Sequence, residues 1–165
     1  MENLAFSDKI GLVKSISMEI MTRPTHRYRK LKDLLTLCRD PVNVDVVLKA
    51  VNNLCEVFCE IIPSYRIREY EDEKKEEKEG KKKENRMSKE ADELRNQEQF
   101  ILQSYKEYLQ ILEVFSNIRT LKLAGKGADK EKSVAIYDKL KEKSVSCYCK
   151  LLERHTHFNF RLNIL

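Results

Sequence analysis

An apolar stripe with the period of an α-helix crosses the first half of the chain. A buried β-strand would instead alternate every two residues or be much shorter. The stripe keeps its helical period for about five turns, which predicts a helix from about Val42 to Ile62. Its inward positions are Val44, Val47, Leu48, Val51, Leu54, Cys55, Phe58, Ile61 and Ile62.

Further segments repeat this pattern on both sides of that helix. Pro24 suits a first helical turn, and Ser88 is a favourable N-cap residue. A short sixth helix is predicted to begin near His157 or Phe158. The other four predicted helices run from about Leu4 to Met21, from Pro24 to Cys38, from Ser88 to Leu123 and from Lys130 to Arg154. The inward stripe predicted for the helix after Ser88 is Ala91, Leu94, Glu98, Ile101, Leu102, Tyr105, Leu109, Leu112, Phe115 and Ile118.

The breaks between these helices are short, and the chain has only four glycines and three prolines. Few helix breakers and 36% charged residues favour well-solvated helices. Short connections between successive helices favour antiparallel neighbours. We therefore predict an all-α fold, an antiparallel and irregular helical stack of the HEAT/armadillo-like kind, with a disordered charged linker.

The predicted linker is almost entirely charged between Glu71 and Arg86, with seven acidic and seven basic residues. It has no apolar side chain whose burial would offset the entropy lost on ordering. The chain is accordingly divided into a helical block at 1–68, a linker at 69–87 and a second helical block at 88–165. No repeat of fixed length is apparent.

Cysteine use and the N-terminus indicate the compartment. The chain has five cysteines, and no charged region followed by an apolar run opens the sequence. An odd number of cysteines without a secretory signal favours reduced thiols in the cytosol or nucleus. No run of about 18 apolar residues is present, so no membrane span is predicted.

Four potential zinc ligands lie within eleven residues: Cys147, Cys149, His155 and His157. The two cysteines are two positions apart on a predicted helix and so point to different sides, unlike the cysteine pair of a zinc finger. A nucleophilic cysteine with a histidine base is the alternative, but no local signature supports it. We predict no metal, no cofactor and no enzymatic activity.

Two basic clusters are candidate contacts for nucleic acid. The first is Lys81, Lys82 and Lys83, which suits RNA contact or nuclear import. Adjacent acids favour a solvated linker there instead. The second runs from His26 to Lys30 and includes Lys32; it is suited to phosphates, or it is a solvated face with Tyr28 in the core.

The segment after Pro63 alternates large apolar side chains with arginines. In an extended chain, Tyr65 and Ile67 point to one side, and Arg66 and Arg68 to the other. The two apolar residues would then dock on the chain's own helices while the arginines bind a partner carboxylate or phosphate. These four residues are the candidate partner-binding site; a loop pinned to the core is the equal alternative.

Three further blocks follow one another along the chain: Ile61–Arg68, then Ser88–Glu90 with Leu94–Arg95, Glu98–Gln99 and Tyr105–Leu109, and finally His157–Arg161 with Asn163–Ile164. In order and rough spacing these blocks resemble the nucleolar complex-associated protein 3 family, over about Ile10 to Leu165. Ser64 replaces the glycine usual in the family, and the charged linker is longer than expected. Members of the family are several hundred residues long, so this chain is expected to match an N-terminal helical part.

The resemblance implies a non-enzymatic helical scaffold of the nucleolus or nucleus. It implies a role in biogenesis of the large (60S) ribosomal subunit, in rRNA processing and in pre-ribosome maturation or transport. The implied partners are a second nucleolar complex scaffold protein and large-subunit precursor particles, with RNA contact. The alternative is a chromatin-binding factor in DNA replication initiation. The composition adds only a net charge of +5, compatible with acidic partners.

Overall fold

The structure is a computed structural model that describes residues 6–40, 43–67, 89–117 and 128–155. Throughout these ranges the regular structure is helical and no strand occurs, which confirms the predicted all-α class. The elements are α1 (Phe6–Thr22), α2 (Pro24–Arg27), a 3₁₀ turn (Tyr28–Lys30), α3 (Leu31–Leu37), α4 (Val44–Ile61), α5 (Lys89–Ser116) and α6 (Ala128–Arg154).

Two predicted helices differ from the observed ones. The helix predicted from Pro24 to Cys38 is interrupted by the 3₁₀ turn Tyr28–Lys30. The helix predicted to reach Leu123 ends at Ser116. The Ser116 hydroxyl donates to the Glu113 carbonyl at 3.0 Å, a local bond that competes with helix continuation. The sixth helix, predicted near His157, and the linker at 69–87 lie outside the described residues, and the division into blocks stays a prediction.

Both ends of α4 are explained by residues next to it. At its start, the Asp40 carboxylate accepts a hydrogen bond from the Asn43 backbone N–H at 3.0 Å. At its end, Pro63 disfavours helical dihedrals for the residue before it. Ile62 accordingly has φ −70° and ψ 127°, which is extended backbone. The chain therefore leaves α4 in the extended form that the 62–67 segment requires.

Residue pairs across the helices establish their directions. Glu19 bonds Lys30 and Lys9 bonds Asp40, so α1 and α3 are antiparallel. Tyr108 bonds the Val51 carbonyl while Tyr65 bonds Glu98 further along, so α4 and α5 are antiparallel. Helix α6 runs parallel to α4, because Lys150 pairs with Glu56 and Arg154 pairs with Glu60. The predicted antiparallel stacking is therefore confirmed for α1 with α3, for α4 with α5 and for α5 with α6.

Helix α4 lies at the centre of one continuous core, with α1 and α3 packed against it and α5 and α6 completing its cover. The predicted stripe is therefore incomplete, because Val46, Ala50, Val57 and Cys59 are buried as well. Phe58 packs between Tyr105 and Tyr108, with ring centroids 5.3 and 5.4 Å away. Aromatic pairs of this kind contribute about 0.5–1.5 kcal/mol each beyond the area they bury.

Helix α5 is where the predicted inward face differs most from the structure. Leu94, predicted to face inward, is 52% exposed, whereas Tyr108, absent from the predicted stripe, is fully buried. The tyrosine hydroxyl donates to the Val51 carbonyl at 2.9 Å, so its polar atom is satisfied in the core. The 28 residues of α5 exceed the 18 of α4, and Leu94 lies near its first turns, beyond most of the core.

A buried ion pair joins the first helix to the connection before α4. The Lys9 ammonium donates to the Asp40 carboxylate, and each side chain is only 6% exposed. The same carboxylate holds the Asn43 N–H at the start of α4. A single aspartate thus fixes α1 and α4 relative to each other.

None of the helices in the described ranges is long and apolar enough to span a membrane.

Candidate interaction surfaces

The segment after α4 is held at two points. Ile67 is 1% exposed and belongs to the core, as its alternation with the arginines predicts. Tyr65 remains 53% exposed, and its hydroxyl donates to the Glu98 carboxylate on α5. That hydrogen bond raises the pKa of Tyr65. The segment is therefore anchored by one apolar side chain and one polar contact, and not by two apolar side chains.

The four candidate partner-binding residues are placed differently. Tyr65 and Arg66 lie on the surface, whereas the Ile67 side chain is covered by the core. Arg68 lies outside the described residues, as do Lys81, Lys82 and Lys83. A role of these residues in partner binding, RNA contact or nuclear targeting stays a prediction. For Ile67 the position in the core indicates an anchor that orients its exposed neighbours.

A second surface forms where the 3₁₀ turn meets α5. Residues three apart share one side of a 3₁₀ turn, so Tyr28 lies on the same side as the buried Leu31. The Tyr28 ring contacts Phe100 of α5, with centroids 5.1 Å apart and planes at 75°. The arrangement leaves Arg29 and Lys32 exposed beside the two rings.

A cationic side chain lies over each of these rings in a cation–π contact. The Arg29 guanidinium carbon lies 5.8 Å from the Tyr28 ring centroid. The Lys32 Nζ atom lies 5.4 Å from the Phe100 ring centroid. Together with Asn96 these four residues line a groove of about 450 Å³. We call Tyr28, Arg29, Lys32 and Phe100 the basic edge.

Nearby carboxylates compensate some cations of this region but not those of the basic edge. Glu19 bonds Lys30 at 2.7 Å and approaches Arg27 at 3.7 Å. The hydrogen bond from Lys30 lowers the pKa of Glu19. Within the part of the chain that the structure describes, no carboxylate pairs with Arg29 or Lys32.

The charge differs between the two sides of Tyr28. An adjoining groove of about 500 Å³ is lined by Tyr28 and Arg29 together with Glu90 and Glu93 of α5, so that its charge is mixed. On the Lys32 side, cations and aromatic faces lie together. Such a combination binds both the phosphates and the bases of single-stranded nucleic acid.

Of the four potential zinc ligands, Cys147 and Cys149 are not brought together by the structure. Cys147 is buried while Cys149 is exposed, because the two point to different sides of α6. His157 lies outside the described residues. In residues 6–40, 43–67, 89–117 and 128–155 no group of three or more His, Cys, Asp or Glu side chains could hold a metal ion.

Three thiols instead meet between α4 and α6. The Cys55 thiol donates to the Cys147 carbonyl at 3.8 Å. Hydrogen bonding to Cys147 and Cys59, reinforced by burial, raises the pKa of Cys55. The hydrogen bond with Cys55 lowers the pKa of Cys59, and His155 and Lys150 add to that effect. The group fills the space between the two helices as small core side chains do.

The sequence pattern alone does not identify Phe100 or Glu98 as parts of these surfaces. Glu98 falls within the predicted inward stripe of its helix, and Phe100 falls outside it. An aromatic residue that lies next to a complete apolar stripe can indicate a second contact face of the helix. Phe100 is such a residue. Its partner Tyr28, far away in sequence, has no local signal.

The chain matches the family model described as nucleolar complex-associated protein over residues 9–108, from α1 into α5. The chain belongs to the nucleolar complex-associated protein family. The matched part includes the Tyr65 segment and every residue of the basic edge. The family description names a component of a nucleolar complex and no enzymatic activity.

Individual relatives agree with the family. The Nucleolar complex-associated protein 3 of Arabidopsis thaliana is 32% identical over 161 residues, which is 98% of this chain and 16% of that protein. The Nucleolar complex protein 3 homolog of Danio rerio is 33% identical, and that of Homo sapiens 31% identical, each over 93% of this chain and 18% of the relative. The chain thus spans less than a fifth of the relatives' length. Their names indicate the nucleolar or nuclear localisation that the resemblance implied.

Proposed function

We propose that the chain is a non-enzymatic helical scaffold segment in nucleolar assembly of the large ribosomal subunit. It would support rRNA processing and pre-ribosome maturation together with a second nucleolar scaffold protein. The proposal rests on family membership and on one observation of geometry, the basic edge. There a cation lies over each of two aromatic rings, and neither cation forms an ion pair with a carboxylate of the described residues.

The proposed contact is with single-stranded segments of precursor rRNA. Arg29 and Lys32 would bind phosphates, and the faces of Tyr28 and Phe100 would be available for bases when the cations move to the backbone. Base–aromatic stacking is worth about 1–3 kcal/mol per base and tolerates any sequence. The contact would therefore depend on charge and strand form more than on sequence.

Binding of a single-stranded uridine oligonucleotide tests this contact. The double variant Arg29→Gln/Lys32→Gln should weaken binding and make the dependence of log K on log salt shallower by about 0.7 for each phosphate that is no longer neutralised. Lys139→Gln/Lys141→Gln removes the same charge from exposed positions of α6 and serves as the control. Equal weakening in both variants would show that net charge alone determines the affinity for RNA. It would contradict the basic edge as the RNA-binding site.

Affinity purification of the tagged chain from nucleolar extract tests the wider role. Large-subunit precursor RNA and a second scaffold protein should co-purify with the chain. The absence of both would contradict the proposal. Chromatin association that persists after RNase digestion would instead favour the role in replication initiation.

A further inference from the structure

The outward face of α1 carries an uncovered pair of methionines. Met18 is 66% exposed and Met21 is 38% exposed, although both lie on a helix whose other face is in the core. The Thr22 hydroxyl donates to the Met18 carbonyl at 2.7 Å, so this polar group is satisfied within the helix.

A groove of about 610 Å³ runs along this face, between α1 and the start of α2. Its volume lies in the range of ordinary protein binding sites. A side chain added at Gly11, one turn before the groove, would meet no atom within 4 Å, so the approach along α1 is open. The groove is lined by Lys14, Ser15, Met18, Glu19, Thr22, Arg23 and Arg27.

The rim of the groove is positively charged. Lys14 and Arg23 pair with no carboxylate of the described residues. The single carboxylate of the lining, Glu19, already bonds Lys30 at 2.7 Å and lies 3.7 Å from Arg27. An occupant would thus meet the Met18 side chain flanked by Lys14 and Arg23, which form no ion pair within the described residues.

We propose that this groove docks an acidic amphipathic helix of a partner protein. Apolar side chains at helical spacing would cover Met18, the methionine that lines the groove, and flanking Asp or Glu residues would pair with Lys14 and Arg23. Amphipathic helices commonly bind in such grooves, and methionines adapt their shape to the side chains that meet them. The site is separate from the basic edge and extends the proposed function with a protein contact.

Two other occupants fit less well. A nucleic-acid backbone would pair with the cations but leave Met18 exposed to water. A second copy of the chain in a two-fold pair would place the same cations opposite each other, because such an interface brings together identical patches. Charge complementarity therefore favours an acidic protein segment.

The test uses the full chain and two labelled peptides of about 20 residues, long enough to form a helix. Both carry leucines at i, i+3, i+4 and i+7; one is flanked by glutamates and the other by lysines. Fluorescence anisotropy should show the acidic peptide binding at least about tenfold more tightly than the basic one.

Variants then locate the peptide. Met18→Gln should weaken binding of the acidic peptide by about five- to thirtyfold, the amount expected when the 66% of the methionine that is exposed would otherwise be buried by the peptide. Val114→Gln on α5, where valine is 62% exposed, is the matched control and should change nothing. Thermal melts by circular dichroism establish that each variant is folded.

Several results would overturn the docking site. These are equal affinity for the two peptides, binding of neither, displacement of the acidic peptide by the uridine oligonucleotide, or a dimer in sedimentation that Met18→Gln dissociates. The Arg29→Gln/Lys32→Gln variant should retain peptide binding, and Met18→Gln should retain RNA binding. Failure of this proposal and failure of the RNA contact are therefore separable.

Discussion

At the residue scale, the Lys9–Asp40 ion pair is the contact least tolerant of changing one residue alone. Both charges are almost fully removed from water, and Asp40 also holds the first backbone N–H before α4. A buried pair gains little net stability over apolar side chains, but loss of one partner leaves an uncompensated buried charge. The two residues should therefore tolerate joint replacement far better than single replacement.

We expect Asp40→Asn to lower the free energy of unfolding by about 3 kcal/mol, because Lys9 is then buried without its counter-charge. Lys9→Met should have a loss of similar size. The double variant should recover most of that loss, since no unpaired charge remains. Urea unfolding of the four proteins measures the coupling, and simple addition of the two losses would contradict the buried-pair interpretation.

Tyr108 offers a second test, because its hydroxyl bonds the Val51 carbonyl inside the core. Tyr108→Phe should cost about 1 kcal/mol at neutral pH, the usual net value of one hydrogen bond. Burial raises the pKa of Tyr108 above its ordinary value of 10.0. Stability that comes from the neutral phenol is present below pH 10 and is lost as pH rises above it, when the unfolded chain ionises.

The difference between wild type and Tyr108→Phe should therefore shrink as pH rises from 10 upward, since phenylalanine has no proton to lose. Urea midpoints at pH 8 and above pH 10 measure this. Tyr137→Phe is the control, because the Tyr137 side chain is only partly buried against the core. A difference that widens with pH would contradict the burial of the neutral phenol.

At the element scale, the segment 62–67 shows how one residue can hold a loop. Ile67→Ala removes a side chain that is 1% exposed and should cost about 3 kcal/mol. Tyr65→Ala should cost less than about 1 kcal/mol, as expected for an exposed position. Thermal melts measure both. Equal losses would show that the tyrosine is also an apolar anchor, as the alternation in the sequence suggests.

The helices themselves are largely predictable, because period and breakers are local signals. Pro63 marks the end of α4 in the sequence and in the structure. The two-sided burial of α4 is not predictable, because Val46 and Val57 become core only when helices from distant parts of the chain cover them. The 3₁₀ turn at Tyr28–Lys30 escapes prediction for a related reason: its contact with Phe100 is long-range.

For the surfaces, too, local features can be predicted from the sequence and long-range contacts cannot. A basic cluster beside Tyr28 can be found in the sequence, and so can the alternation of Tyr65 with Ile67. The sequence cannot indicate that the Glu98 carboxylate accepts a hydrogen bond from the Tyr65 hydroxyl. Nor can it indicate that Lys30 forms an ion pair with Glu19 while Lys32 lies over an aromatic ring. Which cations are locally compensated depends on the packing of α1 against α3.

At the scale of the whole molecule, all the principal helices share one core, so the described part of the chain should unfold as a unit. Thiol reactivity reports this directly. Cys149 is exposed, whereas Cys38, Cys55, Cys59 and Cys147 are buried. We expect one thiol to react quickly with a thiol reagent in the native protein and four to react only on unfolding.

Peptide mapping by mass spectrometry identifies the labelled positions. Cys149→Ser should abolish the fast reaction and leave the slow one unchanged. Fast native labelling of Cys59, whose pKa is lowered, would show that the contact between α4 and α6 opens independently of global unfolding.

The parallel pairing of α4 with α6 has a consequence for synthesis of the protein. Cys55 meets Cys147 across 92 positions of sequence. At about 5–20 residues per second, translation of that interval takes roughly 5–20 s. During this time the side of α4 that α6 will cover is already made and has no partner from its own chain. Chaperone binding during translation is therefore expected to concentrate on α4, and to end when α6 leaves the ribosome.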